Sequence, residues 1–369
     1  MKIPFFKKSK QRADYVIIIV TIILVGYGLL MLSSASLHIG EERFEDPYFY
    51  VKSQIIYGLT AGLLGFFIAL NTKYRVYEKF AIIFIIISLG LPILLLTPLG
   101  LELKGATRQI ELGIISFQPG EIIKLTFILY IAAWLAGGSE RQKSFSNGFI
   151  PFLILTGTLA ALLLYLRSTS TAVITMGAAF IMYWVSGAKL RFIGLMALIG
   201  TIAFVGVVMI SPYRLARVKN LFNPDANLET TGFHRNQSLI AIGSGGLWGV
   251  GYGQSTTKIS YLPEVIGDSI FAVIAEEFGF IGVGILLLLF FVLIMKMLLV
   301  ANRIRNKFGK LILIGFASII AIQSIINIGA ISGILPLTGT PLPFISFGKT
   351  ALFVFLTMIG ISSNVSKYA

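Results

Sequence analysis

The chain has 369 residues, 56% of them hydrophobic and 12% charged, with a formal net charge of +14 and a mean hydropathy of +0.88. A soluble protein of this length carries about twice that charged fraction, so a water-soluble domain is excluded. There is no cysteine, which excludes disulfides and thiolate metal sites.

Apolar runs long enough to cross a bilayer recur from end to end. The expected class is all-α, a polytopic integral membrane protein. Its ten helices fall near 15–36, 53–70, 78–97, 118–136, 149–166, 170–186, 191–210, 268–298, 311–332 and 347–364. The first run follows the basic stretch KIPFFKKSKQR, but it is longer than a signal-peptide core and many more runs follow, so it reads as a retained helix. The expected organisation is a basic tail at 1–12 and one ten-helix domain at 13–365, with a large structured loop at 211–267 between the seventh and eighth helices. No internal repeat of the kind that marks inverted-repeat transporters is evident.

An even number of spans puts both termini on one side. That side holds 18 Lys and Arg against three acids (Asp14, Glu78 and Glu140), while the other holds 11 basic and 10 acidic residues. The positive-inside rule makes the terminal side cytoplasmic. The basic charge is therefore topological, and nucleic acid is not an expected partner.

On the outer side, Gly100–Phe117, Ser211–Gly267 and Gly333–Phe347 are rich in Gly, Pro and polar residues punctuated by apolar ones. Segments of this kind are expected to turn back against the membrane as half-helices or turns, under cover of protein or a wet cavity. Chemistry is expected on this face.

In chain order, the candidates begin with Arg108. In Gln118–Lys124 (QPGEIIK), Pro119 suits a first helical position, and Glu121 lies within pairing reach of Lys124. The pair reads as a structural one. Arg214 and Arg217, with Lys219 and Arg235, form a basic patch suited to phosphate or to lipid headgroups. The glycines of Gly243–Ser255 lack the G-x-G-x-x-G spacing, and Gly348-Lys349-Thr350 has Pro343 where a phosphate loop needs its first glycine, so nucleotide binding is rejected. His38 and His234, the only histidines, are too few and too far apart for a metal site and read as surface residues.

The stretch from Lys258 to Gly279 (KISYLPEVIGDSIFAVIAEEFG) organises the rest. It sets Asp268 at the start of a very long apolar run and carries Glu276 and Glu277 into it. Ionisable groups inside hydrocarbon are costly and therefore point to function. In a helix starting near Asp268, position 276 lies about 80° around the axis and about 12 Å deeper, so Asp268 and Glu276 could line one cavity while Glu277 needs another partner. Asp268 could equally cap the helix. With Lys258, Glu264 and the arginines, these residues describe an anion-friendly mouth holding one or two carboxylates. Sugar transfer from a lipid pyrophosphate needs such parts: a base for the attacking hydroxyl and cations for the departing diphosphate. A carboxylate-bound Mg²⁺ or Mn²⁺ is compatible with that chemistry, and no organic cofactor is called for.

The ordered segments GATR, QPGEIIKL, PYRLAR, GFHRNQSLIAIGSGGLWGVGYGQSTTK, YLPEVIGDSIFAVIAEEFGFIG and TGTPLPFISFGK resemble the hallmarks of the SEDS family, which includes FtsW, RodA and SpoVE. The resemblance spans nearly all ten helices, and the short tails with GVGYG favour the FtsW branch. It implies a peptidoglycan glycosyltransferase that polymerises lipid II outside the bacterial cytoplasmic membrane, in cell division or elongation, beside a class B penicillin-binding protein transpeptidase. By residue matching, Asp268 falls on the family's essential aspartate and Glu264 on the glutamate before it. Arg108 falls on the GATR arginine, and Glu121 and Lys124 on a pair implicated in activation. The chain departs from the pattern in several places. Gly267-Asp268-Ser269 stands for Thr-Asp-Phe, Gly120 for a serine, and His234 for a glutamine. Leu166–Thr171 lacks the family's acid, and Lys349 adds a cation where the family has Ser-Tyr-Gly-Gly-Ser, so the outer face shifts towards positive charge. The alternatives are a flippase or channel for a lipid-linked precursor, or a scaffold that only recruits a transpeptidase.

Overall fold

Asp14 opens the first helix by accepting a hydrogen bond from the Val16 amide. The computed structural model describes residues 12–103, 106–112, 115–138, 140–222, 232–260 and 262–369. The first eleven residues of the expected basic tail and 223–231 of the expected large loop lie outside them. The helices are α1 (Tyr15–Phe44), α2 (Phe49–Asn71), α3 (Ala81–Leu94), α4 (Pro119–Ala136), α5 (Phe145–Tyr165) and α6 (Thr169–Val185). They continue as α7 (Leu190–Ile210), α8 (Pro212–Phe222), α9 (Phe233–Ser244), α10 (Ile270–Arg303), α11 (Lys307–Ile331) and α12 (Lys349–Ser366). Eight of these are long and apolar enough to cross a membrane, and α3 and α6 are shorter apolar helices. Every expected apolar run is helical.

The centre of the bundle is α4, α11 and α12, with 67%, 72% and 78% of their most apolar windows buried, whereas no residue of that window in α7 is buried. Phe127, Phe316 and Phe355, one on each helix, have no exposed surface. Small residues let helices approach where hydrocarbon supplies no driving force of its own. Against α2, for example, a Cβ on Gly360 of α12 would stand 2.5 Å from the Phe66 carbonyl oxygen.

Two expectations are corrected. The segment Gly100–Phe117 contains an antiparallel sheet rather than half-helices, so the fold is not purely α. Strands β1 (Gly100–Leu103), β2 (Ala106–Leu112) and β3 (Ile115–Phe117) pair in that order, with Ile110 opposite both Gly100 and Phe117. The strands satisfy each other's peptide groups, and buried Ile110 seats them against Leu95, Leu166 and Phe117.

The long run after Asp268 is not one continuous helix. Ser269 is the N-cap of α10, and Gly279 breaks the helix at φ 63°, ψ −163°, a conformation open to glycine but strained for other residues. The loop 246–251 repairs the ladder. Val250 and Gly251 amides donate to the Glu276 and Glu277 carbonyls, while the Phe280 and Ile281 amides donate to Gly246 and Leu247. A backbone break is tolerated in a membrane only when its freed groups are met in this way.

A Cβ at Gly279 would collide with the Gly249 amide, whereas one at Gly284 meets nothing within 4 Å. Gly279→Ala is expected to cost about 1–3 kcal/mol, lowering the thermal midpoint in detergent by several degrees, whereas Gly284→Ala should leave it unchanged or raise it. Equal midpoints would contradict this account of the break.

Candidate active site

The Asp14 amide donates to Ser366 Oγ at 2.8 Å, and its carboxylate pairs with Lys296 at 3.0 Å. The start of α1, the end of α12 and the far half of α10 therefore share one end of the bundle. Asp268, just before α10, lies at the opposite end, where two cavities adjoin. The smaller, about 290 Å³, is lined by Asp268, His234, Arg217, Arg235, Pro263 and Gly339 among others. The larger, about 780 Å³, presents Arg108, Arg167, Arg214 and Arg217 at a polar end and Leu164, Val173, Phe204, Val208 and Ile326 along an apolar one. Arg217 and Leu335–Leu337 belong to both. The Arg217 Nη1 donates to the Leu337 carbonyl at 2.7 Å, which pins this shared wall.

Local structure explains how the arginines gather. Alternation along β2 puts Arg108 on the same face as buried Ile110, and its guanidinium donates to the Arg167 carbonyl at 3.0 Å. Arg167 terminates α5 in the left-handed region, φ 56°. The Ser168 amide donates to Leu163 and the Arg167 amide to Leu164, the paired bonds of a Schellman cap. Glycine usually occupies that cap position, so an arginine there carries conformational strain into the cavity. Arg214, on α8, donates to Thr169 Oγ1 and to the Leu164 carbonyl. Burial, and then the neighbouring Arg167, pushes its guanidinium below the ordinary arginine value. No carboxylate is among the described residues lining this larger cavity.

Asp268 is held by its backbone. The Gly267 and Ser269 amides both donate to the Glu264 carbonyl, at 2.9 and 3.2 Å. Asn327 Nδ2 of α11 donates to the Asp268 carbonyl at 2.9 Å and to Thr340 at 2.7 Å. Gly339 brings the following loop so close that a Cβ there would stand 3.8 Å from Asp268 Oδ2. Asp268, partly buried, thus lines a cavity on a fixed mount.

The other expected residues divide. Arg108, Arg214 and Arg217 line the larger cavity. Lys258 lines neither: its amine is buried, 2.6 Å from Glu277 Oε1 and 2.8 Å from Ser34 Oγ. The partner that Glu277 required is therefore Lys258. Glu276 does not share a cavity with Asp268. Because α10 begins after Asp268, Glu276 instead receives Ser255 Oγ, Thr257 Oγ1 and the Thr256 amide, knitting that turn together. Glu264 is exposed on the turn at φ 51° and lines neither cavity. Glu121 and Lys124 are a buried pair at 2.7 Å inside α4, away from both cavities, and Lys124 also donates to Gln323 Oε1 at 2.6 Å. His234 was expected at the surface but faces Asp268's cavity, and Arg167 was not among the expected residues at all.

No group of three or more His, Asp or Glu that could hold a metal occurs among the described residues. Mg²⁺ is commonly held by one or two carboxylates together with substrate phosphates. Asp268, the one carboxylate among the described residues lining the smaller cavity, fits that mode with a diphosphate as co-ligand.

Residues 14–369 match the family model described as "Cell cycle protein", FtsW/RodA/SpoVE. The chain belongs to the FtsW/RodA/SpoVE family. It is 35% identical over 362 residues to the stage V sporulation protein E of Bacillus subtilis (strain 168), covering 98% of this chain and 99% of that one. It is 36% identical over 358 residues to a probable peptidoglycan glycosyltransferase FtsW of Coxiella burnetii, covering 96% of each. Among solved structures, a chain of a peptidoglycan synthase complex, reported for coordinating polymerization and crosslinking, superimposes with a TM-score of 0.79 at 26% identity, over 96% of this chain and 97% of that one. Thermus thermophilus RodA superimposes with a TM-score of 0.72 at 25% identity over 98% of each. Within this RodA-like fold, the departures at Gly267, Ser269 and His234 and the stretch Leu166–Thr171 that lacks the family's acid fall at the two cavities or on the turn that carries Asp268.

Removing one member of a buried ion pair strands the other and costs about 3–5 kcal/mol, whereas replacing both by apolar residues of similar volume is often close to neutral. Glu121→Leu and Lys124→Met are each expected to lower the detergent thermal midpoint strongly, and the double variant to recover most of the loss. A double variant as unstable as the sum of the singles would show that the two side chains act independently and would contradict this account of the pair.

Proposed function

We propose that this chain is a peptidoglycan glycosyltransferase that polymerises lipid II, with Asp268 as the general base. The observation that carries the reading is the shared wall at Arg217. On one side is a carboxylate in a small cavity; on the other are four arginines over an apolar groove. That division matches an amphiphilic donor whose diphosphate and polyprenyl chain occupy the larger cavity while a sugar hydroxyl enters the smaller. The named relatives act in the same direction.

The chemistry follows from the placement. Asp268 takes the proton of the acceptor hydroxyl as its oxygen bonds to the anomeric carbon of the donor sugar. The bond from that carbon to the undecaprenyl diphosphate breaks, and the diphosphate leaves with the electron pair. Fixed guanidiniums stabilise the charge that develops on it, and do so more strongly out of bulk water. Arg108, Arg167, Arg214 and Arg217 are the groups assigned to it; Lys258 and Glu264 are assigned to the structure of the mouth. A divalent cation, if bound, would be held by Asp268, the one carboxylate among the described residues lining the smaller cavity, and would supply charge neutralisation.

The same reading extends to topology and partners. All ten apolar helices cross the bacterial cytoplasmic membrane as one domain over 13–365, with both termini in the cytoplasm and the two cavities outside. The resemblance to a chain of a synthase complex supports a class B penicillin-binding protein as partner, which would crosslink the glycan as it forms.

With the full-length chain co-purified with such a transpeptidase and defined lipid II, Asp268→Asn is expected to lower glycan synthesis by about 10²–10⁴-fold, the range of a lost general base. Arg167→Gly relieves the left-handed strain while deleting the cation. It should keep the fold and raise the KM for lipid II by about tenfold or more, as for a lost charge-assisted hydrogen bond. Undiminished polymer from a folded Asp268→Ala protein would sink the assignment; lipid movement across proteoliposomes by that variant would replace it with a transport reading.

A further inference from the structure

His234 lies at the start of α9 with its ring in the cavity of Asp268. Its Nε2 is 2.5 Å from Ser269 Oγ. That hydroxyl has one proton, and it is donated to the Pro263 carbonyl at 2.7 Å. Ser269 Oγ must therefore accept from His234, so Nε2 carries a proton whether the ring is neutral or charged. Ser269 has no exposed surface and is bonded to its neighbours through backbone and side chain alike. It is also the residue directly after Asp268. The two positions are 35 residues apart in sequence, and both depart from the family pattern. Here they are partners.

We propose that His234 is a positioning residue. Its Nε2–H bond to Ser269 ties α9 to the turn of Pro263–Ser269 and fixes the direction in which the Asp268 carboxylate enters the cavity. Asn327 holds the same turn from α11 at the Asp268 carbonyl. The Phe347 amide also donates to the Ile266 carbonyl of this turn, at 2.8 Å. With His234 gone those two ties remain, but the residue next to Asp268 loses its side-chain anchor to α9, and the carboxylate loses its alignment with the acceptor hydroxyl. Misplacement of about 1 Å can cost on the order of a hundredfold in rate without touching the groups that bind substrate. The inference rests on Asp268 as the base.

The test uses the same co-purified complex and lipid II. His234→Ala is expected to lower kcat about tenfold to a hundredfold while KM stays within about twofold. His234→Gln, whose amide can still donate to Ser269, should restore most of kcat. Ser269→Ala, which removes this bond and also the one to Pro263, should lose at least as much as His234→Ala, and the double variant His234→Ala/Ser269→Ala should lose no more than Ser269→Ala alone, since the His234–Ser269 bond is absent from both. Full kcat in His234→Ala, failure of Gln to rescue, or losses that multiply would each overturn the proposal. Asp268→Asn in parallel separates the two ideas: if it is inactive while His234→Ala is unimpaired, only the positioning role fails. If it retains activity, the base assignment fails with it.

Discussion

A buried lysine amine links the centre of the bundle to its mouth. Lys124 has 1% of its surface exposed, and a buried ammonium is tolerable only when paired and fully hydrogen-bonded. Glu121 and Gln323 Oε1 supply its partners. The other end of Gln323 donates to the Pro341 carbonyl at 2.8 Å. One turn further along α11, on the same face, Asn327 holds Thr340 and Asp268. Two amides on one helix thus connect the central ion pair to the loop after α11 and to the backbone beneath the proposed base. The precision of the mouth is inherited from the membrane core.

Cations are distributed over both cavities of the mouth. The guanidiniums of Arg108, Arg167 and Arg214 line the larger cavity, Arg217 stands in the partition, and Arg217 and Arg235 line the smaller cavity together with Asp268. The left-handed cap at Arg167 places local conformational cost in the wall of the larger cavity.

Much of this was legible in the sequence, and what was not has identifiable physical causes. Helical runs announce themselves by length and apolarity, and Arg108, Arg214 and Arg217 stood out as cations on the face away from the basic loops. The sheet was hidden because β1 to β3 are short and a deeply buried contact that seats them, Ile110 with Leu95 and Leu166, is non-local. Gly279 was indistinguishable from a packing glycine in a 34-residue run, since its φ is a property of the fold. Lys258 looked like part of the mouth because its partner Glu277 lies 19 residues on, across a turn. His234 looked like a surface residue for want of any local clue to Ser269. Arg167 left only an indirect signal, the missing acid in Leu166–Thr171.

The break in α10 also bears on how the molecule is assembled. Two intrahelical bonds, from Phe280 to Glu276 and from Ile281 to Glu277, are given up, and four to the loop 246–251 replace them. An ordinary membrane helix is self-sufficient and can insert before it meets its neighbours. This one is not, because its peptide groups at the break are complete only when a distant stretch of chain has arrived. The stability of α10 and that of the loop are therefore coupled across this interface.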